Sequence, residues 1–220
     1  SELKPQEQEQ IAPTLENTSE IMLQNFEHSN FAVEIHQCYL DLVTAGTACL
    51  MFEEAPIGSA TAFHFYAVPL REIAIEESAD GKIDTTFRCS KLNLDGIRTR
   101  FPEAQIPGSL ADRCREDRDY QLKVIEAVLP RNCNAGGCGY SYTAFAWDEN
   151  GGAQDSFILR EGVFETSPFI NFRWLKAPGE IYGRSPVMKA LPDIKTANKV
   201  VELILKNASI SVTGIWQADD

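Results

Sequence analysis

The longest apolar pattern in the chain has helical spacing and follows a loop rich in Pro and Gly. Its members are three or four residues apart, which places them on one face of a helix: Val187, Leu191, Ile194, Ala197, Val201, Ile204 and Ala208. Ser185 and Pro186 precede the pattern, and a Ser hydroxyl followed by Pro at the first helical position is a helix start signal. We therefore expect a helix from about Ser185, with Pro192 causing a kink or separating a short helix from a longer one.

The chain before this loop combines two helices with a strand-rich region. Residues 1–13 have the polar composition of a flexible terminus. Helical spacing predicts helices at 14–28 and 31–45, the second ending at Gly46. The pattern then becomes extended, and Asp80-Gly81 supplies the positive φ angles of a hairpin turn. The fold class is thus α+β, with N-terminal helices, a mostly antiparallel strand region and a long kinked C-terminal helix.

The strands at 47–53, 62–68, 72–76 and 83–89 are predicted to form a meander because their connections are short. Strands are expected at 47–53, 62–68, 72–76, 83–89, 120–129, 139–147, 156–159, 163–165 and 169–174, with short helices near 94–101 and 109–117. Arginines from Arg98 to Arg118 interleave with carboxylates, which favours a solvated face over a basic binding patch.

The overall charge limits the classes of partner. A formal charge of −12 argues against a surface that grips nucleic acid, because Lys and Arg supply most of that affinity. No apolar run approaches the roughly 18 residues of a membrane-spanning helix, and no leader pattern occurs, so no membrane partner is expected. The abrupt end at Asp220 suggests a piece of a longer polypeptide.

Catalytic and metal-binding patterns are weak. Gly183-Arg184-Ser185 resembles half of a nucleophile elbow, but Pro186 follows, and a helix cap explains the Ser better. Cys133 and Cys138 form the one close Cys pair, without the second pair that a zinc site needs. The sequence therefore predicts no enzyme, no metal and no cofactor. Two alternatives remain: a thiol hydrolase using Cys38 or Cys138, and a β-rich binding module whose strands present aromatic side chains to a partner, namely Phe63, Phe65, Tyr140, Tyr142 and Trp147.

Three motif blocks, in matching order and spacing, resemble the portal, or head-to-tail connecting, proteins of short-tailed bacteriophages. The first contains Pro168-Phe-Ile, Arg173-Trp, Gly179-Glu-Ile-Tyr-Gly-Arg-Ser-Pro186, Ala190-Leu-Pro-Asp-Ile-Lys195 and Asn198. The second contains Ser29-Asn-Phe31 and Asp41-Leu-Val-Thr-Ala-Gly-Thr-Ala-Cys-Leu50, and the third Val68-Pro-Leu70, Asp80-Gly-Lys-Ile-Asp84 and Arg88. The resemblance runs from about Ser19 to the end of the chain, with residues 89–165 loosely constrained.

The resemblance implies a structural subunit of a ring, usually of twelve copies, at one vertex of the capsid. Double-stranded DNA passes through such a ring without specific contacts, driven by a separate terminase, and capsid and tail adaptor proteins bind it. The subunit would be assembled in the host bacterial cytoplasm and reside in the virion. In this chain the implied parts are a wing domain at 14–178, a stem helix segment at 179–209 and the start of a clip region at 210–220.

Two sets of site residues follow from the resemblance. The wing–stem joint would comprise Gly179, Glu180, Tyr182, Gly183, Arg184, Ser185 and Pro186. A helix at a subunit contact or beside the channel would use Val187, Leu191, Ile194, Lys195, Lys199, Val201 and Ile204.

Overall fold

The computed structural model describes residues 5–55, 58–59, 61–108, 117, 120–131, 139–148 and 156–214, with the backbone alone at 5–10. Four helices lie in these ranges: α1 Pro5–His28, α2 Phe31–Ala45, α3 Leu94–Arg100 and α4 Pro186–Thr213. The strands are β1 Thr47–Glu54, β2 Phe63–Val68, β3 Ile73–Glu77, β4 Ile83–Leu92, β5 Leu122–Pro130, β6 Tyr140–Trp147, β7 Ser156–Phe164 and β8 Phe169–Arg173. The α+β class is confirmed.

The larger sheet is an antiparallel meander of five strands in the order β3-β4-β5-β6-β7. The predicted Asp80-Gly81 turn joins its first two strands. Gly81 has φ +77° and donates its N–H to the Ser78 carbonyl at 2.9 Å. The meander predicted for the first four strands is wrong, because β1 and β2 pair in a separate sheet and the meander instead runs from β3 to β7.

The smaller sheet has the order β2-β1-β8, so its two outer strands are more than a hundred residues apart in sequence. Strand β1 lies in the middle, and its residue Cys49 is opposite Val68 on one side and Asn171 on the other. Strand β8 thus returns the chain to the end of α2 just before the loop that leads to α4.

Strand β1 is buried on both faces because successive side chains of a strand point to opposite sides. Cys49 and Met51 belong to the main core, which β1 shares with the larger sheet. Ala48 and Leu50 belong to a second core beneath α2. Aromatic rings fill much of this second core. The ring centroid of Phe26 lies 5.0–5.6 Å from those of Phe31, Phe63 and Phe65. The centroid of Phe31 lies 5.0 Å from that of Phe65.

A charged cluster is buried between the sheets around Glu126, whose side chain is 1% exposed. Its carboxylate accepts hydrogen bonds from Tyr142 Oη at 2.8 Å, Arg100 Nη2 at 3.0 Å and Arg88 Nη1 at 3.4 Å. Burial, and then the charge of Glu126, raise the pKa of Tyr142, so the phenol stays protonated as a donor. Removing one partner of such a cluster costs about 3–5 kcal/mol, because the remaining charges stay buried.

Arg100 is one place where the sequence expectation is wrong. The solvated arginine face predicted from Arg98 onward holds for exposed Arg98, but the side chain of Arg100 turns inward to Glu126. Alternation of charges along the sequence cannot show this, because the carboxylate that pairs with Arg100 comes from a strand 26 residues away.

Several element boundaries differ from the prediction. The terminus expected to be flexible over 1–13 is helical from Pro5, because Gln and Glu are good helix formers and α1 continues through Pro13. The segment 163–165 is not a separate strand, since β7 extends to Phe164 with an irregularity in its pairing to β6. The short helix predicted at 94–101 ends at Arg100. The one predicted at 109–117 lies almost wholly outside the described residues.

The C-terminal helix also runs further than expected. Residues 210–213, assigned to the start of the clip region, continue α4, which ends where Gly214 donates its N–H to the Ile210 carbonyl at 3.3 Å. Pro192 lies inside one continuous helix, so the alternative of two helices separated there is wrong. None of the helices in the described ranges has the length and hydropathy needed to cross a bilayer.

Candidate functional site

Two glycines hold the loop before α4 against the start of β1. Gly46 ends α2 with φ +80° and donates its N–H to the Leu42 carbonyl at 3.0 Å. A Cβ on Gly46 would lie 2.4 Å from the Gly183 carbonyl oxygen, and a Cβ on Gly183 would lie 2.1 Å from the Gly46 carbonyl oxygen. Both distances are far below van der Waals contact, so the two backbones meet at a separation that only glycine permits.

Three hydrogen bonds reinforce this contact, and two of them join segments more than a hundred residues apart. Trp174 donates its N–H to the Gly46 carbonyl at 2.9 Å, and Arg184 donates to the Leu175 carbonyl at 2.8 Å. Gly183 donates its N–H to Thr47 Oγ1 at 2.8 Å, with Thr47 fully buried. The end of α2, the end of β8 and the loop before α4 therefore form one rigid junction, which we call the joint and define as residues 46–47 and 173–186.

Ser185 fixes the first turn of α4 at this joint. Its side chain is fully buried, and its Oγ accepts the Met188 N–H at 2.9 Å, while Pro186 occupies the first turn. The cap satisfies one of the N–H groups that have no partner inside the helix. The helix start predicted at Ser185 is confirmed, and the Ser serves as a cap.

An ionic cluster ties the joint to the larger sheet. Arg173 Nη1 donates to Glu77 Oε2 at 2.6 Å and to the Ile181 carbonyl at 2.9 Å, and Arg173 Nη2 donates to the Gly81 carbonyl at 3.3 Å. Lys176 Nζ also binds the Glu77 carboxylate. The hydrogen bonds from Arg173 and then Lys176 lower the pKa of Glu77 below its ordinary value, which keeps the carboxylate charged.

Of the remaining joint residues, Tyr182 contacts the larger sheet, and Glu180 and Arg184 lie on the surface. Tyr182 Oη accepts the Ile75 N–H at 3.4 Å, which attaches the loop to β3 at the edge of the larger sheet. Glu180 and Arg184 form a two-point ion pair on the surface, at 2.6 and 2.9 Å, and this pairing lowers the pKa of Glu180. Gly179 has φ +78° in open space.

An open groove of about 650 Å³ lies beside the joint. The loop contributes residues 180–184, and the first turn of α4 contributes Met188 and Lys189. Ile181, Tyr182 and Met188 are exposed apolar or aromatic side chains, so the groove combines an apolar surface with an exposed lysine at its margin. Such a surface suits contact with another protein element.

Helix α4 leaves the joint without burying any residue. Val187 is half-buried, but Leu191, Ile194, Val201 and Ile204 are 41–60% exposed. Lys195 and Lys199 are exposed on another face, with Lys199 Nζ at 2.9 Å from Glu202. The predicted apolar face is therefore a continuous exposed surface. The seven residues predicted for a subunit contact do not form one site, because the two lysines lie on a different face of the helix from the five apolar residues.

Sequence patterns missed several residues of the joint. Glu77, Lys176 and Thr47 join it through contacts between segments about a hundred residues apart or more, and no local spacing signals them. Gly46 was predicted only as a helix end, although its φ of +80° and its contact with Gly183 both require glycine.

Neither alternative function finds support among the described residues. Burial, with smaller contributions from Asp41 and Glu34, raises the pKa of Cys38 to about 11, so its thiol is a poor nucleophile. Cys138 lies outside the described residues. Of the aromatic residues proposed to meet a partner, Phe65 and Tyr142 are buried in the two cores, Phe63 and Tyr140 are half-buried, and Trp147 is exposed. No cluster of His, Cys, Asp and Glu suited to a metal ion occurs among the described residues.

A two-sheet region joined rigidly to a long exposed helix defines a structural module of the kind that assembles with other chains. The family model of bacteriophage head to tail connecting proteins matches residues 1–220, and the chain belongs to this family. It is 27% identical over 187 residues to a probable portal protein of Bordetella phage BPP-1. That match covers 82% of this chain and 33% of the relative, so the chain spans about a third of the relative's length.

Proposed function

We propose that this chain is the wing region and first stem helix of a portal ring subunit. The ring occupies one vertex of the phage capsid, forms the channel for DNA packaging and ejection, and carries the attachment point for the tail. Its role is structural, and a separate terminase supplies the energy for packaging. Capsid and tail adaptor proteins are its other partners, the virion is its location, and assembly takes place in the host bacterial cytoplasm.

The observation that carries the proposal is the exposure of α4. Most of the stability of a helix in a protein comes from packing of an apolar face. Helix α4 has such a face over 28 residues, yet none of these residues is buried within one chain. A contiguous apolar surface of this length marks a site of association.

Ring closure follows from the kind of contact that α4 can make. A surface that binds a different surface of the next copy generates a closed ring when the rotation between copies allows it. We place Val187, Leu191, Ile194, Val201 and Ile204 at this contact, with the copy number of twelve taken from the resemblance. Lys195 and Lys199 lie on the charged face of the same helix.

The charge of the chain agrees with a DNA channel. A net charge of −12 gives little affinity for a polyanion, because nonspecific DNA binding depends on neutralising phosphates with Lys and Arg. DNA that must move through a ring in both directions requires such weak contacts. The passage of DNA is therefore nonspecific in this proposal.

Electron microscopy and native mass measurement of the complete polypeptide that contains this chain test the proposal. The expected result is a population of closed rings with a central opening, and a mass that is an integer multiple of the subunit. A strict monomer at every protein concentration would contradict the proposed function.

A further inference from the structure

Strand β2 is an outer strand of the smaller sheet, and side chains bind the backbone groups along its outer edge. In the sheets of the described residues it pairs with β1 alone. Successive residues of a strand direct their backbone groups to opposite edges. The N–H groups of Phe63, Phe65 and Ala67 bind side chains outside the sheet, so these residues form the outer edge. His64 and Tyr66 therefore face β1.

Asn30 closes the centre of this edge in the way that a residue of another strand would. Its Nδ2 donates to the Phe65 carbonyl at 2.7 Å, and its Oδ1 accepts the Phe65 N–H at 2.9 Å. A side-chain amide can do both because it carries a donor and an acceptor side by side. Asn30 occupies the N-cap position of α2, yet its side chain makes no capping hydrogen bond. The amide thus binds the strand edge in place of the helix end.

The other outward donors of β2 are closed as well. Ala67 donates its N–H to Glu34 Oε2 at 2.7 Å, and Phe63 donates to Thr61 Oγ1 at 3.1 Å. The next outward position is Pro69, which has no N–H. Every outward backbone donor from residue 63 to residue 69 is therefore bound to a side chain or missing. We call the side chains of Asn30, Glu34 and Thr61 the edge clamp.

The residues of β2 give the edge little protection of their own. The strand Phe63–Val68 contains no Asp, Glu, Lys or Arg, and half of its residues are Phe or Tyr. An open edge of this composition pairs readily with strands of other chains, a hazard that charged residues on the strand usually reduce. In β2 this protection comes from the edge clamp, whose Asn30 and Glu34 belong to the helical part of the chain.

We propose that the edge clamp is an autoinhibitory contact, which prevents an extended strand of a second copy from adding to β2. The corner between α1 and α2, residues 25–34, holds the clamp in place. This corner is also attached just before the strand, where Asn25 Oδ1 accepts the Ala62 N–H at 3.2 Å and the Asn25 carbonyl accepts Thr61 Oγ1 at 3.0 Å. The edge opens only when the corner moves away from β2.

A second copy of β2 is the strand that fits the open edge. An antiparallel pair centred on Phe65 would place Phe63 of each copy opposite Ala67 of the other, so that all outward donors face outward carbonyls. This contact lies within one chain when the edge is closed. It therefore goes beyond the proposed ring and does not depend on ring formation.

An open variant, Asn30→Ser with Glu34→Ala, removes three hydrogen bonds of the clamp and preserves α2. Serine is a good N-cap residue, and alanine is the strongest helix former. Glu34→Gln alone keeps an oxygen that can accept the Ala67 N–H, so it should behave like the wild type. Gln37→Ser with Glu27→Ala is the matched control, because both side chains are exposed on the same two helices. Circular dichroism should show equal helix content in all variants.

Amide hydrogen exchange in the complete protein, resolved to single residues by mass spectrometry, measures the closure of the edge. In the open variant the amides of Phe65 and Ala67 should exchange at least about fivefold faster than in the wild type, as expected for loss of an ordinary hydrogen bond. The amides of His64 and Tyr66 should keep their protection, because they face β1. The matched control should show wild-type exchange at all of these amides.

A synthetic peptide that copies residues 62–69, with two lysines added for solubility, tests strand addition. It should slow the exchange of Phe65 and Ala67 in the open variant and have no effect on them in the wild type. The same peptide with N-methyl groups at alternate residues cannot donate along one edge, so it should have no effect on either protein.

Equal exchange of Phe65 and Ala67 in the wild type and the open variant would overturn the edge clamp, as would equal acceleration in the matched control. Slowing of these amides by the peptide in the wild type would show that the edge is open already. No slowing in the open variant would show that the clamp is not what excludes a strand. Either result would overturn the autoinhibitory contact.

Discussion

At the scale of single residues, Gly46 meets two separate requirements. Its φ of +80° lies in the left-handed region, which disfavours any side chain. Its backbone also contacts Gly183, and a Cβ added to Gly46 would lie 2.4 Å from the Gly183 carbonyl oxygen. Gly179 has nearly the same φ, +78°, but nothing lies within 4 Å of its Cβ position. A comparison of Gly46 with Gly179 therefore separates the effect of backbone strain from that of steric conflict.

Replacement of each glycine by alanine should show the difference. Gly179→Ala should lower the free energy of unfolding by about 1–2 kcal/mol through backbone strain alone. Gly46→Ala adds overpacking against the joint and should cost about 3 kcal/mol or more in total. Urea unfolding followed by circular dichroism measures both losses. Equal losses for the two variants would mean that the contact with Gly183 relaxes without cost.

Glu77 links the joint to the larger sheet through charge, so its contribution depends on pH. Its folded-state pKa is lowered by Arg173 and Lys176. A carboxylate with a lowered folded-state pKa stabilises the fold above its unfolded-state pKa, which is about 4.3. This stabilisation is lost as the pH falls through the lower, folded-state value.

We expect Glu77→Gln to be less stable than the wild type at pH 7 and to approach it as the pH falls below the unfolded-state pKa of about 4.3 and then through the lower folded-state pKa, where the wild-type carboxylate becomes protonated. Urea midpoints of both proteins across this pH range provide the measurement. Glu161→Gln, at an exposed position without an ion pair among the described residues, is the control and should follow the wild type throughout. A difference between Glu77→Gln and the wild type that stays constant with pH would contradict the ionic role.

At the scale of elements, local patterns were sufficient for most helices and strands. Helix α2 was predictable because its apolar spacing is helical and Gly46 signals its end. The turn at Asp80-Gly81 was predictable because its positive φ angle favours these residues. The pairing of β8 with β1 was not predictable, because strand propensity says nothing about a partner more than a hundred residues away. The same limit hid Glu77 and Thr47, whose roles depend on that pairing.

The start of α4 is the part of the candidate site that sequence predicted best. Ser185 and Pro186 signal a helix start by local chemistry, and the structure places the Ser hydroxyl on the Met188 N–H. The exposure of the apolar face, in contrast, was not predictable. A face of this kind is equally typical of a helix buried in its own chain, and only the positions of the other elements decide between the two.

Loss of the cap should weaken the first turn of α4. Ser185→Ala leaves the Met188 N–H without its acceptor and should cost about 1 kcal/mol. Ser211→Ala, near the exposed end of the same helix, should change stability by less than about 0.5 kcal/mol. Hydrogen exchange of the Met188 amide is the direct measurement, with faster exchange expected in Ser185→Ala alone. Unchanged protection of this amide would show that the buried hydroxyl does not cap the helix.

At the scale of the whole molecule, the two cores and the proposed subunit contact lie on different parts of the chain. Two cores share β1, and the charged cluster around Glu126 lies between the sheets, so residues of this one chain form both cores and the cluster. Helix α4 contributes no buried residue to either core. Substitutions on its apolar face should therefore affect assembly without affecting the fold of the sheets.

A paired substitution on α4 tests this division of roles. Leu191 and Ile204 are 41% and 60% exposed, so Leu191→Ser with Ile204→Ser should change the unfolding midpoint of the sheets little. In the complete protein the same pair should abolish rings or raise their assembly concentration at least about tenfold, because it removes apolar area from the proposed subunit contact. Ile158→Ser with Val163→Ser, on exposed positions of β7, removes a similar apolar surface elsewhere and should leave the rings intact. Mass photometry across a dilution series measures assembly of both variants, and equal effects of the two pairs would place the contact elsewhere than on α4.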